Sequence, residues 1–141
     1  MNNDAYDNST VHSQWFAEQR EHIQAYLVQE RIPLKSMRKQ PSWFLAPYVS
    51  LWQVRNTANQ LLWVITGDLP ADYLAGWEAS TPREAMQAFS SRWERIAKSM
   101  MRGKLHPQFH IGRVEDSTNL GEFLLKRAEI LAKWSADDSV W

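Results

Sequence analysis

Two runs of aromatic and branched residues, joined by four turn-forming ones, constrain this chain more than any other feature. The first runs from Ser42 through Trp43-Phe44-Leu45 to Val54-Arg55-Asn56, the turn is Thr57-Ala58-Asn59-Gln60, and the second is Leu61 to Thr66. Composition and spacing read as two strands of an antiparallel hairpin. Alternation puts Leu62, Val64 and Thr66 on one face of the second strand and Leu61, Trp63 and Ile65 on the other. Both faces are too apolar to be left in water, so helices should cover at least one. Pro47 has no amide donor and is expected at an edge or a bulge.

Three amphipathic helices are available to cover it. The first should run from about Thr10 to Gln29, after a frayed polar lead over residues 1–9. Val11, Trp15, Ile23, Tyr26 and Leu27 recur there at helical spacing, with Phe16 beside them, and Pro33 ends the element. Residues 34–41 read as a basic loop. Gly67-Asp68-Leu69-Pro70 reads as a turn, and Ala71 to Ser80 as irregular or a short helical turn. The second helix has the sharpest start: Thr81-Pro82-Arg83-Glu84 is a capping box with proline in the first helical position. Ala85, Met86, Phe89, Trp93, Ile96, Ala97 and Met100 fall on one face of it, and Gly103 stops it. Residues 104–116 read as an extended connection in which Phe109 to Val114 could form a third strand. Asn119 with Glu122 suggests a cap for a last helix carrying Leu120, Phe123, Leu124, Leu131 and Trp134. The expected fold is α+β, a hairpin packed by three helices in the order α-β-β-α-(β)-α. At 141 residues this is one domain by length, with residues 1–9 and 135–141 as flexible tails.

Composition excludes several chemistries. The chain has no cysteine, which removes disulfides, thiolate metal sites and cysteine nucleophiles. Sixteen basic and sixteen acidic side chains cancel, so DNA is not an expected partner. The polar, acidic N-terminus lacks the pattern of a signal peptide, and the longest apolar run, Leu61 to Ile65, is too short for a membrane span. A cytoplasmic location without membrane contact is the expectation. No serine elbow, P-loop or dinucleotide fingerprint is present, and no cofactor or metal is expected.

The candidate chemistry that remains is modest. Asp68 and Asp72 lie four apart in a turn after a strand, where paired carboxylates could divide acid and base work or bind a cation. Tyr73, His106 and His110 could join them, although Pro107 breaks the helical spacing that would aim both histidines at one point. In the ordinary reading, the aspartates bond their own backbone amides. Eight tryptophans make the chain tryptophan-rich. Six of them fall on helix stripes or in the hairpin, as core residues would, with an aromatic ligand pocket as the sharper alternative. Charge is also unevenly placed. Arg31, Lys35, Arg38, Lys39 and Arg55 occur between Arg31 and Gly67 without one acid, and Arg95, Lys98 and Arg102 share an arc of the second helix. Arg38, Lys39 and that arc could form a basic surface for an acidic protein, a phosphate-bearing ligand or RNA, with RNA the weakest of these. A solvated face explains the same charges.

Trp43, Ala46-Pro47-Tyr48-Val49 and Trp52, followed by Trp63-Val64-Ile65-x-Gly67-Asp68-Leu69-Pro70-x-Asp72-Tyr73, resemble a family of small bacterial proteins known only as a domain of unknown function. The Trp15 to Tyr26 helix and the Pro82-Arg83 helix start are similar as well, so the resemblance covers roughly residues 15–93. Gly-Asp-Leu-Pro-x-Asp-Tyr is its most specific part. Ala71 stands where threonine is expected, which removes a hydroxyl. The resemblance implies a bacterial source and carries no catalytic assignment. Taken together, these observations point to a non-enzymatic cytoplasmic protein that acts through protein–protein contact or self-association. A small-ligand or metal-dependent enzyme built on the Asp68/Asp72 turn is the alternative.

Overall fold

The structure is a computed structural model that describes residues 3–103 and 117–141. It is α+β, and the chain falls into two compact units, residues 1–82 and 83–141.

The first unit holds α1 (Asn3–Gln29) and five strands: β1 (Leu34–Met37), β2 (Trp43–Leu45), β3 (Val49–Asn56), β4 (Leu61–Gly67) and β5 (Asp72–Ala75). All pair antiparallel. The expected hairpin is present as β3 and β4, in register from Val49↔Gly67 to Arg55↔Leu61. It is the middle of a five-stranded sheet rather than the whole of it. β5 adds to the far side of β4, while β1 and β2 share the far side of β3. The expected single strand over 42–56 is therefore two, divided by a turn whose Ala46–Pro47 peptide is cis and where the Tyr48 amide donates to the Leu45 carbonyl at 2.8 Å. Residues 34–41, expected as loop, contain β1; the irregular stretch after Pro70 contains β5 and a 3-10 turn, Gly76–Glu78. These strands have only three or four residues, too few for alternation to announce them.

Register fixes which side chains share a face. Ser50, Trp52 and Val54 lie beside Thr66, Val64 and Leu62, and α1 covers this face. Phe16, Ile23 and Leu27 from the helix join Trp52, Val54, Leu62 and Val64 in one buried cluster. The helix starts earlier than expected, at Asn3. The opposite face presents Val49, Leu51, Trp63, Ile65 and Leu74, all buried. There the Trp63 indole nitrogen donates to the Ala79 carbonyl at 3.0 Å, so the chain after β5 also serves the sheet.

The second unit is an antiparallel pair of helices, α2 (Pro82–Met101) and α3 (Ser117–Ala136). Proline occupies the first position of α2 as expected, and Gly103 follows its end with φ at +76°. Asn119 lies inside α3, whose start is two residues earlier than the expected cap. The possible third strand over 109–114 falls outside the described residues. Gly121, Leu124, Ala128, Leu131 and Ser135 form the buried stripe of α3, alternating steps of three and four. Ser90 Oγ donates to the Ala128 carbonyl at 2.8 Å, which ties the helix midpoints. At the other end, Arg83 donates to the Ser135 carbonyl and pairs with Asp138, both at 2.6 Å. Residues 135–141, expected as a tail, finish α3 and then form a 3-10 turn over Asp138–Val140, while the Trp141 indole donates to the Trp134 carbonyl at 2.8 Å. Hydrogen bonds from Ser139 hold the Asp137 carboxyl below its ordinary range.

Gly121 marks a close approach of the two helices. A Cβ there would stand 2.9 Å from the Ala97 carbonyl oxygen, 3.0 Å from the Met101 amide nitrogen and 2.8 Å from Met101 Cγ. On an open helix, glycine to alanine gains about 1 kcal/mol. Here the backbone contacts reverse the sign. Gly121→Ala is expected to destabilise by roughly 1–2 kcal/mol through overpacking, measured by urea denaturation. A rise in stability would show that the helices can separate at this point without loss.

Candidate functional site

The acidic turn is divided by its own geometry. Gly67 ends β4 with φ at +144°, and the Asp68 amide donates to the Tyr48 carbonyl at 2.9 Å. Asp68 itself is exposed. Asp72 is only 3% exposed and its Oδ1 accepts from the Tyr73 amide at 2.9 Å. As consecutive strand residues, Asp72 and Tyr73 point to opposite faces, and Tyr73 sits near Tyr26 with ring centroids 6.4 Å apart. His106 and His110 lie outside the described residues. Among the described residues, no group of three or more histidine, aspartate or glutamate side chains could hold a metal ion.

Asp72 has a clear structural task. The Ala75 amide donates to Glu78 Oε2 at 2.9 Å, as the Tyr73 amide does to Asp72. Residues two apart in a strand aim their amides the same way. β5 is the last strand on its side of the sheet, so these carboxylates occupy donors along its outer edge. Filled donors do not recruit another strand.

The basic residues also divide. Arg38 and Lys39 are exposed and lie in the excursion from β1 to β2, between the pairs Met37↔Val54 and Trp43↔Leu51 with β3. Lysine, arginine and Pro41 on a bulged edge are the usual means of blunting it. Arg20 Nη1 on α1 donates to the Lys39 carbonyl and holds the excursion in place. Arg95, Lys98 and Arg102 belong to the second unit and are exposed. Lys98 pairs with Glu94 at 2.7 Å, one turn away, and holds that carboxyl below its ordinary range. The arc is thus a mixed-charge helix face at its centre.

Sequence reasoning missed an open apolar groove at the end of α1. Val28 is 76% exposed at the end of α1, beside a groove of about 530 Å³ lined by Gln24, Leu27, Val28, Arg31, Ile32, Pro33 and Leu34. The groove exists because of how α1 stops. The Ile32 amide donates to the Leu27 carbonyl at 2.8 Å and the Arg31 amide to the Val28 carbonyl at 3.0 Å. This is a Schellman motif, and Arg31 fills its left-handed position with φ at +59°. Ile32 then packs back on the core, and the Pro33 carbonyl accepts from the Thr57 amide at 3.0 Å. The last helical turn and the departing chain thereby diverge as two walls. Glycine is the usual occupant of the left-handed position, and a larger residue costs about 1 kcal/mol there. A signal was available: Val28 is an apolar residue off the stripe of α1.

Of the eight tryptophans, Trp52, Trp63 and Trp93 are fully buried, while Trp77 is 87% exposed on the 3-10 turn. The core reading therefore holds for the innermost ones, and no aromatic-lined pocket is needed to explain them. Among the described residues, no helix is long and apolar enough to cross a membrane.

The chain matches no curated protein and no solved structure. A family model does match it across residues 9–141, nearly its whole length, and that family is described as a domain of unknown function. The chain belongs to this family, DUF4826.

Proposed function

We propose that this chain is a non-enzymatic protein of the bacterial cytoplasm that works through protein–protein contact, with the groove at the end of α1 as its docking face. The observation that carries the reading is Val28, 76% exposed on the rim of an open apolar groove. An exposed apolar side chain is ordinary by itself; one beside the exposed Pro33 and the half-buried Ile32 and Leu34, over the buried Leu27, is the surface a partner would cover. The exposure of Asp68 and the bond from the Tyr73 amide to Asp72 support a reading that does not need these carboxylates. The absence of cysteine suits a reducing compartment.

A photo-crosslinking residue placed at Val28, activated in cells of the source organism, tests the reading. It is expected to yield a discrete higher-mass adduct, whereas the same residue at exposed Ala58, in the β3–β4 turn, yields none. Absence of an adduct at Val28, with a monomer by light scattering, overturns the proposal. Equal adducts at both positions would do so too, because they report collision rather than docking.

A further inference from the structure

Resting on the groove as a docking face, we infer what docks there: a protein segment that carries a large apolar side chain next to a carboxylate. The apolar anchor lies between the last turn of α1 and Pro33-Leu34, and the carboxylate meets the Arg31 guanidinium. Three observations lead to this chemistry.

The first is Arg31 itself. It occupies a left-handed position that glycine fills without strain, and it is one of the residues that line the groove. An arginine at a position that favours glycine directs attention to what its guanidinium can do. One local benefit, a cation near a helix C-terminus, would be met equally by lysine. A planar fork that takes a carboxylate in two parallel hydrogen bonds is specific to arginine.

The second is the surrounding field. From Arg31 to Gly67 the chain carries five cations and no acid, and none of the five makes an ion pair with a described residue. Lys35 follows the groove wall directly, and both Lys35 and Arg55 are spent on Asn59, through its side-chain and main-chain oxygens at 3.3 and 2.8 Å. Glu30 precedes Arg31 and is exposed, but the groove lining itself carries one charge, the Arg31 cation, which favours an acidic occupant.

The third is the lining. Apart from Arg31, Gln24 is the one polar side chain among the lining residues. A groove of about 530 Å³ with five apolar walls has room for a large apolar anchor together with the residues beside it. A single guanidinium matches one carboxylate charge rather than a dianion.

The test uses a phage-displayed library of random 12-residue peptides, selected on the full chain. The two most enriched sequences are then measured by fluorescence anisotropy against wild type, Arg31→Gly, Arg31→Lys and Val28→Asp. Enriched peptides are expected to place Asp or Glu within three residues of a large apolar residue. Arg31→Gly should weaken them at least tenfold and Arg31→Lys nearly as much, while the melting temperature of Arg31→Gly stays level or rises. A fall in that melting temperature of more than about 5 °C would make Arg31 a structural residue and overturn the inference. Peptides without acidic enrichment, or bound equally by Arg31→Gly, overturn the carboxylate; if Val28→Asp still abolishes their binding, the docking face itself stands. Selection that enriches nothing, or peptides held by Val28→Asp as by wild type, brings down the docking face as well.

Discussion

Gly67→Ala is expected to destabilise the protein by roughly 3 kcal/mol, a large share of the stability of an ordinary domain. Two costs combine. The backbone at Gly67 has φ at +144°, a region that essentially only glycine occupies, and forcing another residue there costs about 1–3 kcal/mol. A Cβ would also stand 2.3 Å from the Tyr48 carbonyl oxygen and 2.8 Å from Val49 Cα. Neither atom can swing away, because the Tyr48 carbonyl accepts the Asp68 amide and Val49 is paired with Gly67 in the sheet. Overpacking of this kind adds roughly 1–3 kcal/mol. Denaturant midpoints of Gly67→Ala and Asp68→Ala decide the matter. The second should fall within about 0.5 kcal/mol of wild type, since the Asp68 side chain is exposed and its amide survives. A loss under 1 kcal/mol for Gly67→Ala would mean that the β2–β3 turn yields to the intruding methyl.

The same geometry separates what was legible in the sequence from what was not. Gly67-Asp68 reads as a turn at a strand end, and the structure shows that the glycine answers the close approach of the Tyr48 and Val49 backbone across the hairpin. Long, strongly patterned elements were legible: the β3–β4 pair, the Pro82 start of α2 and its broad apolar face all follow from local spacing. β1 and β5 were not, because a strand of four residues spans barely two periods, and Asp72 is a residue type that strands disfavour. Their existence depends on edges offered by β3 and β4, a nonlocal cause that no window of sequence contains.

The candidate site shows the same limit. In sequence Asp72 reads as a candidate carboxylate, and in the structure its Oδ1 accepts from the next amide along the strand. The reason became visible only with Glu78, which treats the Ala75 amide in the same way. Two carboxylates at alternate donors of an outer strand also cover its edge. Arg38 and Lys39 read similarly once the excursion between β1 and β2 is known. Conversely, Val28 and Arg31 gained importance because the Schellman turn leaves one exposed and the other strained. Helix periodicity describes the stripe that is buried, and says little about the residues placed just beyond its end.

Trp52→Ala should be the other severe substitution, at about 3–5 kcal/mol. Trp52 is 1% exposed at the centre of the β3–α1 interface, against Phe16 with ring centroids 6.4 Å apart. Removing the indole leaves a cavity between a helix and a sheet, and neither surface can collapse freely. The indole also anchors a hydrogen-bond chain. Its nitrogen donates to Ser50 Oγ at 2.7 Å, and that oxygen shares a further hydrogen bond of 2.8 Å with Thr66 Oγ1, in which either hydroxyl can donate. Trp52→Phe keeps most of the volume and should cost less, about 1–2 kcal/mol, by leaving the serine oxygen without its donor. Ser50→Ala should cost about 1–3 kcal/mol, because it strands a buried indole N–H. In the double variant Ser50→Ala/Trp52→Phe neither the stranded donor nor the unfilled acceptor remains, so its loss should be smaller than the sum of the two single losses by about 1 kcal/mol or more. Strict additivity would show that the bond contributes nothing beyond packing, and that Trp52 acts only as volume. Urea unfolding of the four chains measures the cycle directly, with Trp52→Ala setting the scale of the cavity.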